Sequence, residues 1–209
     1  MKLQLAMDMY DENLYWDVLE KTHDLIDILE IGNIGGRMGS KLICDTRAKY
    51  PDLCILWDAK ATHFYPCMGV VADKPDYLSF TTDAEEVQVK KIVKLCKEKG
   101  VKTIGDLYVG HNGPEDILKV VEYGCDQISF HPNADSRHYP MGDVMILDMV
   151  LAMVPKEIEV STYGGFTKEN VLPILERKPD IVVVGADIWN VSDPRKSCIE
   201  WKELLQKYS

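Results

Sequence analysis

The chain has 209 residues, enough for one domain with a substantial core. An apolar share of 46% and a charged share of 28% suit an ordinary folded protein, and a formal charge of −10 argues against broad binding to nucleic acid or an anionic membrane. No apolar run approaches the roughly 20 residues that cross a bilayer, and the opening MKLQLAMD reads as an amphipathic strand rather than a secretory leader, so a cytoplasmic setting is expected.

Eight short apolar runs follow one another along the chain. They are LQLAM (3–7), DILEI (27–31), LCILW (53–57), YLSFT (77–81), KTIGDL (102–107), DQISF (126–130), IEVST (158–162) and IVVVG (181–185). Each is rich in Val, Ile or Leu, as buried parallel strands should be. Helical patterns fill the gaps. A short one is expected near 66–73, after the third strand. The clearest spans 83–99, with Asp83 as a cap and Gly100 just past its end. Residues 114–123 open on Pro114, a favoured first helical residue, and stop before Gly124. Further helices are expected over 167–176 and 194–207. Eight strand–helix repeats predict a single (β/α)₈ TIM barrel over residues 1–209, with an open doubly wound sheet as the alternative. The glycine-rich turn of a dinucleotide fold is absent, because Asp8 is followed by MYDEN. The six cysteines contain no CxxC pair and are expected as buried free thiols.

In such a barrel, chemistry gathers at the C-terminal ends of the strands. Those positions carry Asp8, Glu30, Asp58, Lys60, Asp106 and His131, with Gly164–Gly165 after strand 7 and Gly185 after strand 8. A lone charge is expensive to bury, so this rim reads as a site more readily than as six separate salt bridges or loop caps. Glu30 and Asp58, on neighbouring strands, can share a hard divalent cation such as Mg²⁺. Asp58 and Lys60 are two residues apart and so fall on one side of an extended strand end. Among carboxylates Lys60 should stay protonated and able to deliver a proton, and His131 could move one near neutral pH. The glycines allow backbone N–H groups to approach a phosphate, although tight turns use glycine in the same way.

DILEIG (27–32), LWDAK (56–60), TYGGF (162–166) and PDIVVVGADI (179–188), with the opening MKLQLAMD, resemble the 3-hexulose-6-phosphate synthases and 3-keto-L-gulonate-6-phosphate decarboxylases. These are orotidine-monophosphate-decarboxylase-like barrels. The resemblance implies Mg²⁺-dependent lyase chemistry through a 1,2-enediolate on a phosphorylated ketose. It assigns Glu30 and Asp58 to the metal, Asp8 and Lys60 to substrate hydroxyls and protons, and His131 to acid/base work near C1. It makes Asp106 an assistant, and gives phosphate to the backbone around Gly164, Gly165, Gly185 and Ala186. It also implies a homodimer with sites near the subunit interface. Asp106 and Ala134 stand where the decarboxylases have Glu and Arg, which favours the synthase reaction between formaldehyde and ribulose 5-phosphate.

The chain departs from the family in several places. The final Asp of the motif Asp-x-Lys-x-x-Asp is His63, followed by Phe64 and Tyr65. His63 can exchange hydrogen bonds with a substrate but brings no fixed negative charge. Asn33-Ile34 replaces Thr-Pro, and Asp187 lies beside the expected phosphate loop, where it would repel the ligand unless turned away. Three alternatives stand beside the synthase reading. One is decarboxylase-like or ketose-phosphate isomerase or epimerase activity. Another is a catalytically silent sugar-phosphate-binding barrel. The third is a metal site built from His63, His111, His131 and His138, which no HxH or HxxxH spacing supports.

Overall fold

The computed structural model describes residues 1–107, 113–130 and 140–209, with 140–143 by backbone alone. His131, Ala134, His138 and His111 therefore lie outside the described residues. The strands are β1 (Lys2–Met7), β2 (Ile28–Ile31), β3 (Ile55–Ala61), β4 (Tyr77–Thr81), β5 (Lys102–Leu107), β6 (Gln127–Phe130), β7 (Glu159–Thr162) and β8 (Ile181–Val184). They form a closed barrel in sequence order, every neighbouring pair parallel. All eight runs read from the sequence become strands. The third reaches Ala61, beyond the expected 53–57.

The near-continuous apolar character of the strands follows from burial on both faces. Ala6, Ile28, Leu56, Tyr77, Ile104, Ile181 and Val183 fill the barrel itself. Leu3, Leu5, Met7, Leu29, Ile31, Leu78, Phe80, Phe130, Val182 and Val184 belong to a larger core shared with the helices. Along β1 the residues thus alternate, Leu3, Leu5 and Met7 outward and Ala6 inward.

A repeated acidic clasp fixes the N-terminal end. Asp27, Asp76, Asp126 and Asp180 each directly precede an even-numbered strand. Each accepts a hydrogen bond from a backbone N–H of the strand before it: Leu3 at 2.7 Å, Ile55 at 2.7 Å, Thr103 at 2.8 Å and Val160 at 2.8 Å. These four bonds set the stagger of alternate strands and leave the other end free for chemistry.

The helices are α1 (Glu12–Thr22), α2 (Asn33–Met38), α3 (Lys41–Lys49), α4 (Phe64–Ala72), α5 (Glu86–Lys99), α6 (Pro114–Tyr123), α7 (Pro140–Met153), α8 (Leu172–Leu175), α9 (Ala186–Trp189) and α10 (Pro194–Tyr208). α6 has the expected limits, and Gly100 and Gly124 close α5 and α6 with φ of 72° and 70°. Asp83 does not cap α5; the helix starts at Glu86, after a turn that spends the polar residues following β4. The helix expected over 167–176 shrinks to α8. Thr167 and Asn170 instead bond each other's backbone N–H groups, which holds this stretch as a turn. Of the cysteines, all free, Cys67, Cys96, Cys125 and Cys198 are buried as expected, whereas Cys54 is half-buried and Cys44 exposed. Among the described residues, no helix is long and apolar enough to cross a membrane.

Candidate active site

The strand register stacks the acidic residues in two levels. Ala6 pairs with Glu30 and Glu30 with Leu56, so Glu30 lies one inward step deeper than Asp8 and Asp58. Glu30 is 8% exposed, and the side-chain amide of Gln4 donates to its Oε2 at 2.6 Å. Burial first, then the charges of Asp58 and Asp8, push its carboxyl well above the usual range. Lys60 and Gln4 oppose that shift.

Asp8 is held at the rim by the backbone N–H of Asn33 at 3.2 Å. Gly32 makes this approach possible, since a Cβ there would lie 2.3 Å from Asp8 Oδ1. Burial raises the Asp8 carboxyl as well.

The end of β3 is irregular. Its pairing with β4 shifts between Trp57 and Ala61, and Lys60 adopts φ of 42°. A left-handed backbone costs a residue with a Cβ about 1–2 kcal/mol. Asp58 and Lys60 therefore do not share a side through plain strand alternation, as the sequence suggests; the bulge brings them together. Ser79 on β4 stabilises it. Its hydroxyl accepts from the Lys60 N–H at 3.0 Å and donates to Asp58 Oδ1 at 2.7 Å. The Lys60 ammonium bonds Asp58 Oδ2 and stands 3.9 Å from Asp106 Oδ2. Burial alone would lower the ammonium's pKa, but Asp58, Asp106 and Glu30 outweigh it and raise the pKa, so Lys60 is protonated. Strain of this kind, locked by specific bonds, is characteristic of functional positions.

Asp106 is 3% exposed, and burial together with the charge of Asp58 raises its carboxyl to about 7 against the opposing pull of Lys60 and Tyr163. The Tyr163 hydroxyl meets both carboxylate oxygens at 2.8 Å. The tyrosine ring also lies beneath the Lys60 ammonium, 5.4 Å from nitrogen to centroid.

Two carboxylates at unequal depth, both repelling a third, suit a hard divalent cation with oxygen ligands. Among the described residues no group of three or more His, Cys, Asp and Glu forms a ready-made metal cage. Glu30 and Asp58 fit instead the Mg²⁺ pattern of one or two carboxylates completed by water or substrate. A cation there would relieve the repulsion that pushes Glu30 upward.

On the opposite side, Gly164 and Gly165 have φ of 152° and 65°. Nothing lies within 4 Å of a Cβ placed on Gly165, so this backbone faces open space. Gly185 directly precedes α9, which Ala186 opens. Asp187 does not face this loop. Its Oδ2 accepts from the Trp201 indole N–H at 2.8 Å and pairs with Lys168 at 3.3 Å. His63 is exposed just before α4, with Nδ1 2.8 Å from Thr62 Oγ1. Among the described residues it makes no hydrogen bond to Glu30, Asp58, Lys60 or Asp106.

The structure thus gathers Asp8, Glu30, Asp58, Lys60 and Asp106 around one barrel mouth. It adds Gln4, Ser79, Gly32 and Tyr163, which were not singled out from the sequence. Period-two counting along β1 and β4 places Gln4 and Ser79 inward and could have found both.

No family model matches the chain. A 3-hexulose-6-phosphate synthase of Staphylococcus epidermidis is 25% identical over 209 residues, spanning 99% of each protein. A 3-hexulose-6-phosphate synthase structure from Salmonella typhimurium superposes with a TM-score of 0.90 at 24% identity, covering 100% of both chains. KGPDC from Streptococcus mutans, in complex with a phosphorylated sugar, superposes with a TM-score of 0.90 at 18% identity, covering 99% of this chain and 98% of its own. The two structural likenesses establish the fold.

Proposed function

We propose that this chain, a divergent relative of the 3-hexulose-6-phosphate synthases over its whole length, is a Mg²⁺-dependent lyase acting on a phosphorylated ketose. The reaction favoured is aldol addition of ribulose 5-phosphate to formaldehyde, or its reverse. The observation that carries this reading is the protonated Lys60, held in a left-handed backbone between Asp58 and Asp106 with Glu30 beneath. A fixed cation among carboxylates, at the mouth of a barrel, is suited to stabilising an oxyanion and delivering a proton.

Glu30 and Asp58 would hold the metal, which when bound supplies Lewis-acid stabilisation of negative charge on the ketose oxygens. Asp8 and Lys60 would orient the substrate hydroxyls. His131 would remove the proton from C1, leaving an enediolate whose charge Lys60 helps to balance. C1 would then form a bond to the formaldehyde carbon, and the aldehyde oxygen would take a proton. The backbone at Gly164, Gly165, Gly185 and Ala186 would hold the phosphate, with Asp187 turned aside. We place the enzyme in the cytoplasm, as a homodimer.

The test is to incubate the protein with Mg²⁺ and ribulose 5-phosphate in D₂O, with and without formaldehyde, and follow C1 by NMR. Deuterium entry at C1 without formaldehyde, and a hexulose phosphate with it, are expected. Exchange without product would move the reading to decarboxylase-like or isomerase chemistry on this scaffold. Absence of exchange across a panel of pentulose and hexulose phosphates would leave a sugar-phosphate-binding barrel.

A further inference from the structure

We infer that Tyr163 is a positioning residue that fixes the Asp106 carboxylate and the Lys60 ammonium in one geometry and ties both to the glycine loop; this rests on the reading above.

Three observations meet at this side chain. The phenol hydroxyl lies 2.8 Å from each Asp106 oxygen, so the carboxylate cannot rotate about its own axis without losing a contact. The ring supports the Lys60 ammonium from below, 5.4 Å from centroid to nitrogen. Tyr163 also directly precedes Gly164–Gly165, the strained turn whose backbone is open to a ligand. Its own N–H bonds Phe130 O at 3.4 Å, which anchors the start of that turn to β6.

Asp106 needs such a holder. It sits 3.9 Å from Lys60, short of a direct hydrogen bond, and the Lys60 ammonium is directed to Asp58 instead. Ser79 fixes Asp58 from the β4 side, and Tyr163 fixes Asp106 from the β7 side. The ammonium is thereby placed between two carboxylates that each have an independent anchor. An anion docked on the glycine loop would share a rigid connection with the proton-handling pair. A purely structural tyrosine would need one hydrogen-bond partner and apolar packing; this one engages a carboxylate and a cation inside the barrel mouth.

The experiment compares wild type with Tyr163→Phe, which keeps the ring and removes the hydroxyl. Crystal structures of both, and steady-state kinetics of C1 exchange with ribulose 5-phosphate and Mg²⁺, are the two measurements. We expect the Asp106 carboxylate to rotate away from its wild-type position. We expect kcat to fall by about tenfold or more, since a misplacement of about 1 Å at a reacting centre can lower a rate by around a hundredfold. KM should stay within about twofold, because the phosphate contacts are intact. An Asp106 that stays in place in the variant, or an unchanged kcat, overturns the assignment. If the wild type shows no exchange with any ketose phosphate, the lyase reading falls, and the crystallographic comparison alone decides whether Tyr163 positions Asp106.

Discussion

The indole N–H of Trp201 donates to Asp187 Oδ2 at 2.8 Å and turns that carboxylate away from the Gly185 loop. An acidic residue two positions after this glycine looks hostile to an anionic ligand in sequence. In the folded chain it is a strut between α9 and α10, assisted by Lys168 and by the Ser197 hydroxyl on the Asp187 carbonyl at 2.6 Å. Trp201→Phe should remove the donor while keeping the ring packed. A hydrogen bond to a charged group contributes about 1.5–3 kcal/mol, so urea unfolding should show a loss near the lower end of that range for this partly exposed pair. The same variant should bind ribulose 5-phosphate more weakly, because Asp187 is freed to swing toward the loop. Unchanged affinity would show that Asp187 stays turned away without Trp201.

Ser79 makes two bonds that serve different ends. One stabilises the left-handed Lys60 and the other orients Asp58. Ser79→Ala should therefore lower kcat by about tenfold or more through loosened geometry, while costing about 1 kcal/mol of stability for the lost neutral bond. Ser79→Thr, which keeps a hydroxyl, should retain more activity than the alanine variant. Equal activity in the two variants would remove the hydroxyl from the account.

The positions of the strands were legible because burial on both faces writes a continuous apolar run into each one. The clasp aspartates were visible as letters in DILEI and DQISF, but their bonding to the preceding strand depends on the parallel register. At the site, Asp8, Glu30, Asp58, Lys60 and Asp106 could be read as polar interruptions at strand ends. The β3 bulge could not. A lysine with positive φ has no local signal, and it exists because Ser79, nineteen residues away, holds its N–H. Tyr163 was hidden for a related reason: beside a double glycine it reads as a loop residue, and its partner Asp106 is 57 residues distant. The helix expected from 167 failed because Thr167 and Asn170 satisfy each other's backbone before a helix can propagate.

The buried carboxyls set a direction for pH dependence in the metal-free protein. Asp106 rises from 3.8 to about 7, chiefly through burial, and Glu30 is raised by burial and by Asp58 and Asp8. A carboxyl whose folded pKa exceeds its unfolded value binds more protons in the folded state, so stability falls as pH rises through that interval. The metal-free protein should lose on the order of a few kcal/mol between about pH 4 and 7 from Asp106 alone. Asp106→Asn should flatten that part of the profile, as read by urea unfolding at each pH. A wild-type profile that rises over this range would contradict the assigned burial.

Glu30→Gln tests the metal assignment apart from turnover. The amide keeps the shape and can still meet Gln4, but it cannot provide a carboxylate to a hard cation. Mg²⁺ affinity by titration calorimetry should fall by about tenfold or more, while metal-free stability at neutral pH should hold or rise, because a repelled buried charge has been removed. The opposite pattern, intact Mg²⁺ affinity with lower stability, would make Glu30 a structural partner of Gln4.

The last prediction concerns assembly. α4 carries Tyr65 at 78% exposure and Met68 at 49%, three residues apart and so on one helix face. Cys67 and Val71 face the other way, into the core. A large aromatic and a methionine side by side on the surface are the residue types enriched where chains associate. The helix starts just after the site-bearing end of β3, so a second copy seated there would approach the barrel mouth near His63. We expect sedimentation to show a dimer at micromolar concentration. Tyr65→Glu, which puts a charge at the centre of this face without touching the core, should shift it to monomer with the unfolding midpoint of the monomer preserved. Activity should fall with dissociation if the partner's loop completes the site. A wild-type monomer at micromolar concentration removes the dimer, and a dimer unaffected by Tyr65→Glu places the interface on another face.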